Sequence, residues 1–236
     1  LAISQKHEAW SDVARKIAHE IKNPLTPIKL SIDRLKNKTN KGIHISETEV
    51  IDTMDTINRQ VDDIKNLVDE FSNFARMPAP NMQKYNIKDI IDNAISLFDL
   101  ESNKIVIDLD KKSLDHSIKC DESQINRVLN NLIINSIHSI ESKYNNESGG
   151  TIYIDAGLKD NYLKIKIFDN GQGLSHKEED LLKPYFSTKE KNIGTGLGLS
   201  IVEKIISEHG GNFHIYNLED KSGACSEFTL RLFNDW

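Results

Sequence analysis

The 236-residue sequence contains only two cysteines, Cys120 and Cys225, and neither lies in a CxxC pair or a cysteine–histidine cluster. This scarcity argues against a disulfide-stabilised scaffold or a structural zinc site and fits a reducing compartment. No apolar run approaches the ~18 residues of a membrane span, and the first residues lack the basic-then-apolar order of a signal peptide. We therefore expect a soluble, cytoplasmic fragment. Because it starts at Leu1 rather than Met, anchoring of a longer parent chain in the inner membrane stays open.

The charge balance gives no general attraction to polyanions. Thirty basic and thirty-six acidic residues leave a formal net charge of −6. We expect no nucleic-acid partner and no membrane contact by this fragment, and any anionic ligand must be held by local chemistry. The sequence also lacks the GxxxxGK[ST] motif, which excludes a P-loop nucleotide site.

The hydrophobic pattern of the N-terminal third predicts two antiparallel helices joined by a connector at Lys36–Ser46. A lone hairpin buries little apolar surface, and so we expect a second copy to complete a four-helix bundle and form a homodimer. Apolar residues step by four and three in the second helix, as in a heptad seam, and keep a looser helical spacing in the first. They are Val50, Met54, Ile57, Val61, Ile64, Val68 and Phe71, preceded by Ala14, Ile17, Ile21, Leu25, Ile28, Ile32 and Leu35.

Two prolines, Pro78 and Pro80, end the heptads, because each lacks an amide donor and pushes the preceding residue out of helical geometry. We place a domain boundary there, with domains at residues 1–78 and 79–236. Beyond it, helices and strand hairpins segregate, which predicts an α+β sandwich rather than a doubly wound sheet. The predicted helices are 87–100, 121–144 and 197–209, and the predicted strands are 104–109, 151–156, 162–168, 212–216 and 227–233.

His19 lies on the exposed face of the first predicted helix, and Asn23, about 40° away on a helical projection, shares that face. Pro24 and Pro27 predict a bend in the helix beside them. An exposed imidazole next to the Glu20 carboxylate is a candidate nucleophile, since the acid can orient one ring nitrogen and leave the other free. The alternative is an ordinary surface histidine, because the chain contains eight. A zinc-protease HExxH motif is excluded, since Asn23 stands where the second histidine would be.

Two glycine motifs indicate a nucleotide site: DNGQG at 169–173 ends a predicted strand, and GTGLGLS at 194–200 opens a predicted helix. Glycines before a helix let backbone amides approach phosphate oxygens, and the helix dipole favours the anion. A Rossmann site needs a compact βαβ unit, whereas residues 177–192 are typical of a polar loop.

A polar stripe on the predicted helix 121–144 adds a third feature. Arg127, Asn131, Asn135 and His138 fall on one face, opposite apolar residues. An amide oxygen on this stripe is a suitable ligand for a Mg²⁺ ion that also holds phosphates. The alternative is a solvated helix face, because asparagine is abundant throughout the chain.

The combination of motifs resembles the sensor histidine kinases of two-component systems, over nearly the whole chain. HEIKNPL at 19–25, Asn131 with Asn135, DNGQG, YFSTK at 185–189 and GTGLGLS are similar to the H, N, G1, F and G2 boxes of that family, in the family's order. The forms HEIKNPLTPIKLS and PYFSTK look closest to the nitrogen-regulation kinases of the NtrY and NtrB type. The resemblance implies a dimerisation and phosphotransfer (HisKA) hairpin followed by a Bergerat-type (GHKL) ATP-binding sandwich.

Residue by residue, the resemblance implies that His19 is the phosphoacceptor, Glu20 the acid that activates it, and Asn23 the group that positions water in a phosphatase reaction. It further implies that Asp169 accepts a hydrogen bond from the adenine amino group and that Asn135 binds Mg²⁺. The other nucleotide contacts that it implies are Asn131, Gly171, Gly173, Phe186, Lys189, Gly194, Thr195, Gly196, Leu197 and Gly198.

The implied function is ATP-dependent autophosphorylation of His19, transfer of the phosphoryl group to an aspartate of a response-regulator receiver domain, and phosphatase activity on that regulator. Two alternatives remain. A regulatory serine-directed kinase of the same ATP-binding fold would not need an exposed His19 beside Glu20. A catalytically silent dimeric scaffold would not need intact glycine motifs. The sequence keeps both sets of features, which favours the histidine kinase.

Overall fold

A computed structural model describes residues 2–75, 77–98, 105–110, 114–145, 147–183, 186, 196–219 and 222–233, with the backbone alone at 2–14, 16–17, 66, 70 and 73–75. The chain divides into two compact units, one ending at Met77 and the other starting at Pro78. None of the helices in the described ranges is both long and apolar enough to cross a membrane.

The first unit is a hairpin of α1 (Ala2–Asn40) and α2 (Glu47–Ala75), and α1 is helical through both prolines at 24 and 27. The connector is shorter than the predicted Lys36–Ser46, because the helix continues to Asn40. There the Lys38 ammonium contacts both carboxylate oxygens of Glu49, at 2.6 and 2.7 Å. Gly42 adopts a positive φ of 65° just past the helix end, as a C-terminal cap requires.

The heptad seam of α2 is covered on one side only. Val50, Ile57, Ile64 and Phe71, spaced by seven residues, are half-buried. The alternate positions stay open to solvent: Met54 is 58% exposed, Val61 50% and Val68 45%. Helix α1 repeats this pattern, with Ile21, Ile28 and Leu35 half-buried and Leu25 and Ile32 exposed. Each helix therefore carries a covered apolar row and an open one.

The second unit is a two-layer α/β structure built on a mixed five-stranded sheet of order β2-β4-β5-β7-β6, in which β2 and β4 are parallel and the other pairs antiparallel. A separate antiparallel pair joins β1 to β3. The strands are β1 (Gln83–Asn86), β2 (Ile105–Leu109), β3 (Ser117–Cys120), β4 (Gly150–Lys159), β5 (Tyr162–Asp169), β6 (Phe213–Asn217) and β7 (Ala224–Arg231). The helices are α3 (Ile87–Ser96), α4 (Glu122–Tyr144), α5 (Glu178–Leu181) and α6 (Gly198–Glu208).

Most predicted elements of this unit agree with the structure. Helix α5 lies within residues 177–192, which we predict as a polar loop, and β4 continues to Lys159, past its predicted end at residue 156. Strands β1 and β3 are absent from the prediction, because each has only four residues, which is too short to establish a period. The helix predicted to end at Leu100 ends at Ser96, and Leu100 itself lies outside the described residues. The last strand starts at Ala224 rather than Glu227, because its first three residues are all buried and so lack the alternation of a half-exposed strand.

Helices α4 and α6 pack together over one face of the sheet. In β5, Leu163, Ile165 and Ile167 point to this covered face, whereas Lys164 and Lys166 lie on the open one. The same alternation brings Asp169, the last residue of β5, to the helix side. A buried carboxylate at the end of a central strand is thus a consequence of strand periodicity.

Candidate functional site

His19, Glu20 and Asn23 lie close together on α1 in the first unit. The His19 side chain is 71% exposed, and its Nδ1 is 3.9 Å from Glu20 Oε1. Asn23 Nδ2 donates to the other carboxylate oxygen, Glu20 Oε2, at 3.3 Å. Glu20 is therefore held on one side by Asn23 and faces Nδ1 of the imidazole with its other oxygen. This arrangement leaves Nε2 of His19 as the ring nitrogen that Glu20 does not face.

Asp169 anchors the second group of predicted residues. Its Oδ1 accepts hydrogen bonds from the Gly171 amide at 2.9 Å and from the Ser139 hydroxyl at 3.2 Å, while the contact of Oδ2 to the Ser136 hydroxyl is longer, at 3.5 Å. Burial raises the pKa of the Asp169 carboxyl above its ordinary value, and the hydrogen bonds from Gly171, Ser139, Ala224 and Ser136 oppose that rise. A carboxylate oxygen has two acceptor sites, and so Oδ2, whose contact to Ser136 is long, can accept a further hydrogen bond.

The first glycine motif is fitted tightly around this carboxylate. A methyl group added at Gly171 would lie 2.6 Å from the carbonyl carbon of Ser139, and the next amide, of Gln172, donates to the Ser139 carbonyl at 3.2 Å. Gly173 has a φ of +79°, a conformation that side chains rarely adopt. The turn can therefore approach α4 this closely only because residue 171 has no side chain.

The second glycine motif lies next to the asparagine stripe. Gly196 has a φ of +70°, Leu197 is fully buried, and α6 begins at Gly198. A methyl group at Gly198 would meet Asn131 Oδ1 at 2.8 Å, while Asn131 Nδ2 donates to the Arg127 carbonyl at 2.8 Å. The N-terminus of α6 and the side chain of Asn131 are thus neighbours.

The predicted polar stripe of α4 has the expected burial. Arg127, Asn131, Asn135 and His138 are half-buried, whereas the opposite face, formed by Ile125, Leu129, Leu132 and Ile140, is buried. Asn135 lies one turn beyond Asn131, on the side toward Ser139. The structure thus brings Asp169, Gly171, Gly198 and the two asparagines to one surface of the second unit.

Part of the predicted nucleotide segment cannot be placed. Lys189, Gly194 and Thr195 lie outside the described residues. Phe186 is described and half-buried, and its ring meets the His176 ring edge-on, with 5.1 Å between centroids.

Several residues of this surface have no place in the sequence motifs. Ser136 and Ser139 donate to Asp169, and a methyl group at Gly223 would lie 2.8 Å from the Asp169 carbonyl carbon. The spacing of the two serines, one helical turn apart and facing inward from a polar stripe, is the signal that could have revealed them. No local signal marks Gly223, because the residue that it contacts, Asp169 at the end of β5, is far away in the sequence.

Two family models match the chain, in the order that the sequence resemblance implied. Residues 9–80 match "His Kinase A (phospho-acceptor) domain", and residues 120–234 match "Histidine kinase-, DNA gyrase B-, and HSP90-like ATPase". The chain belongs to the sensor histidine kinase family. It carries the phosphoacceptor and ATP-binding modules of that family in one polypeptide.

Relatives of this family support the NtrY type. The chain is 41% identical, over 98% of its length, to the nitrogen regulation protein NtrY of Azorhizobium caulinodans, of which it covers 30%. It is 38% identical, over 94% of its length, to a putative NtrY-like sensor histidine kinase of Rickettsia typhi, of which it covers 36%. The chain thus spans about a third of the length of these relatives.

Solved histidine kinases share the fold. The histidine kinase ThkA, crystallised in complex with the response regulator protein TrrA, aligns over 98% of this chain and 64% of its own with a TM-score of 0.75 and 24% identity. The Acinetobacter baumannii histidine kinase AdeS aligns over 89% of this chain and 96% of its own with a TM-score of 0.61 and 24% identity. These likenesses confirm the fold class predicted from the sequence.

Proposed function

We propose that this chain is the kinase core of a sensor histidine kinase that phosphorylates its own His19 with ATP and passes the phosphoryl group to an aspartate of a response regulator. Residues 1–78 form the dimerisation and phosphotransfer domain in this proposal, and residues 79–236 the catalytic ATP-binding domain. The observation that carries it is the Asp169 carboxylate, which is buried, accepts hydrogen bonds from four neighbouring donors and has one oxygen, Oδ2, whose contact to Ser136 is long.

The residues around Asp169 suit an adenine nucleotide. Oδ2 would accept the hydrogen bond of the exocyclic amino group, which a buried carboxylate can distinguish from a carbonyl oxygen. The adjoining glycine turn packs directly against α4, because residue 171 has no side chain, and this would keep the turn beside Asp169 where the base binds. At the other end, the amides at the start of α6 would receive the phosphates, as helix N-termini do. Gly194, Thr195, Gly196, Leu197 and Gly198 are proposed for that role, with Phe186 and Lys189 from the segment before them.

The donor set of the α4 stripe fits a magnesium ion. Mg²⁺ takes oxygen ligands and keeps few protein contacts when phosphates and water complete its shell. Asn135 would supply one amide oxygen, with Asn131 beside the phosphates. When bound, the ion would neutralise phosphate charge.

The geometry of His19 supports its proposed phosphorylation. Nδ1 faces Glu20, which favours the tautomer with the proton on Nδ1 and the lone pair on Nε2. Nε2 would attack the γ-phosphorus, the bond from that phosphorus to the β,γ-bridging oxygen would break, and ADP would leave. Glu20 stabilises the cationic imidazole that forms. The phosphoramidate would then pass its phosphoryl group to a carboxylate oxygen of the regulator's aspartate.

The open apolar rows of the hairpin support a homodimer. Leu25 and Ile32 on α1, and Met54, Val61 and Val68 on α2, recur at seven-residue intervals and are 45–58% exposed. Rows of this spacing pack against other helices rather than against water. A second copy, supplying the same two rows about a two-fold axis, completes a four-helix bundle.

Labelling with γ-³²P-ATP tests the proposal. We expect an acid-labile, base-stable label, as a phosphoramidate gives, and its loss in His19→Ala. His44→Ala is the matched control, since His44 is also an exposed histidine of the hairpin and should keep the label. A base-labile, acid-stable label would indicate serine phosphorylation instead, and ATP binding without any label would indicate a silent scaffold.

A further inference from the structure

The turn that carries the DNGQG motif is held by a side chain that belongs to none of the motifs. Asn217, the last residue of β6, is 43 positions away from Leu174 along the chain. Its Oδ1 accepts the Leu174 N–H at 2.6 Å, and its Nδ2 donates to the Leu174 carbonyl at 2.9 Å. The carboxamide thus pairs with both backbone groups of one residue, much as a neighbouring strand would.

This clamp acts directly beside a conformationally unusual glycine. A methyl group added at Gly173 would lie 2.8 Å from Asn217 Oδ1. Because it has no side chain, Gly173 can adopt many backbone conformations when nothing restrains it, and here its φ is +79°. Asn217 therefore packs against the glycine and fixes the residue after it.

The other end of the turn is fixed independently. The Lys143 ammonium donates to the Asn170 carbonyl at 2.6 Å and also contacts the Ser222 hydroxyl. The Asn170 carboxamide donates to the Gly149 carbonyl at 2.8 Å and accepts the Thr151 amide at 2.9 Å. The first end of the turn is thus multiply bonded, whereas Leu174, at its second end, has both of its backbone groups bonded to Asn217. The consequences of removing Asn217 should therefore be local.

We propose that Asn217 is a positioning residue for the nucleotide: it holds the turn 171–174 in its binding conformation before ATP arrives and does not itself touch ATP. This inference rests on the proposed function. A turn that must be ordered on binding weakens affinity, because the ordering entropy is lost in that step. A turn that is already ordered avoids this loss. The effect should fall on ATP binding and not on the chemistry at His19, which lies in the other unit.

Kinetics of the full chain test the inference. In Asn217→Ala we expect the apparent KM for ATP to rise about three- to tenfold, the range for losing neutral hydrogen bonds. The maximal labelling rate at saturating ATP should stay within about twofold, as for a loss of uniform binding. Asn217→Ser should fall between wild type and alanine, because its hydroxyl reaches only one of the two backbone groups. Serine also carries the test if the alanine protein does not fold.

Tyr216→Phe is the matched control on the same strand. It removes a hydroxyl that donates to Glu227 at 3.3 Å and leaves Leu174 untouched, and so its KM should equal that of the wild type. An unchanged KM in both Asn217 variants would overturn the inference while wild-type labelling upholds the proposed function. A fall in the maximal labelling rate as large as the rise in KM, accompanied by a lower melting temperature, would also overturn the inference. Asn217 would then contribute to general stability rather than to ATP binding. If the wild type does not bind ATP at all, both the proposed function and this role are wrong.

Discussion

The helical hairpin and the ATP-binding unit bury their apolar residues to different extents. In the hairpin, Val61 is half exposed, and the apolar row that contains it is open to solvent. In the second unit, by contrast, Phe228 and the apolar residues on the helix-facing side of β5 are buried. The two residues with the main proposed roles differ in the same sense. His19 is exposed, and Asp169 is buried.

This contrast matches what each unit has to do in the proposed function. A phosphoacceptor must reach two macromolecular sites in turn, and so its side chain has to be open to solvent. A group that distinguishes one base from another works best away from competing water, where an unmade hydrogen bond is costly. Variants in the two units should therefore have different effects. Variants in the hairpin should lose dimerisation, and variants in the ATP-binding unit should lose affinity for ATP.

The largest effect is expected from Gly171→Ala. Its methyl group would lie 2.6 Å from the Ser139 carbonyl carbon, which is backbone in the middle of α4 and cannot move aside, and so the turn must shift away from Asp169. We expect ATP affinity to fall more than about a hundredfold by calorimetry, an amount equal to losing several hydrogen bonds.

Gly157→Ala is the control for that variant. Gly157 also lies in the second unit, but no atom stands within 4 Å of an added methyl group there. It should bind ATP like the wild type. Tight binding by Gly171→Ala would mean that the turn does not form the adenine pocket.

The next effect concerns the hairpin. Val61→Asp combined with Val68→Asp places two carboxylates in the open row of α2, at several kcal/mol for each one that stays buried in a bundle. Light scattering at micromolar concentration should then give a monomer, while ATP affinity is unchanged because the second unit is untouched.

Ile43→Asp provides a comparison at an exposed apolar residue of the connector, outside both rows. It should remain a dimer. A wild-type chain that is already monomeric under these conditions would refute the four-helix bundle.

Asp169→Asn should separate affinity from stability. One carboxylate oxygen becomes a donor facing the adenine amino group, and we expect ATP to bind about ten- to a hundredfold more weakly. Because burial raises the Asp169 pKa, the charged form is disfavoured in the folded protein. The nucleotide-free variant should therefore be at least as stable as the wild type at neutral pH.

The pH dependence of stability has a definite sign. A raised pKa in the folded state means that the stabilising contribution of Asp169 is complete below the ordinary aspartate pKa and is lost as pH rises through the raised value. Chemical denaturation should show the wild type gaining on Asp169→Asn as the pH is lowered. Parallel pH profiles would contradict the burial argument.

The sequence predicts the elements with a strong period better than the contacts between them. The heptads of α2 and the alternation of β5 extend over many residues, and the structure has both elements. Which half of the seam remains open depends on how α1 lies against α2, and this is not a property of either sequence segment alone. Ser139 is 30 residues from Asp169 and Asn217 is 43 from Leu174, and such pairs follow only from the folded register.

The last prediction concerns two activities that share one helical face. The family resemblance implies that Asn23 positions water for dephosphorylation of the regulator, yet its Nδ2 also donates to Glu20 at 3.3 Å, and Glu20 is the acid beside His19. Asn23→Ala therefore removes one hydrogen bond of the Glu20 carboxylate, at this length a weak one, and should slow autophosphorylation by a few fold at most. It should abolish most of the dephosphorylation of the regulator that the kinase stimulates, because the water would lose the amide group that positions it.

Both rates can be followed with purified regulator. Thr26→Ala is the control, since the Thr26 hydroxyl donates to the Lys22 carbonyl of its own helix. Equal loss of both activities would mean that Asn23 acts through Glu20, and undiminished dephosphorylation would mean that the water is positioned elsewhere.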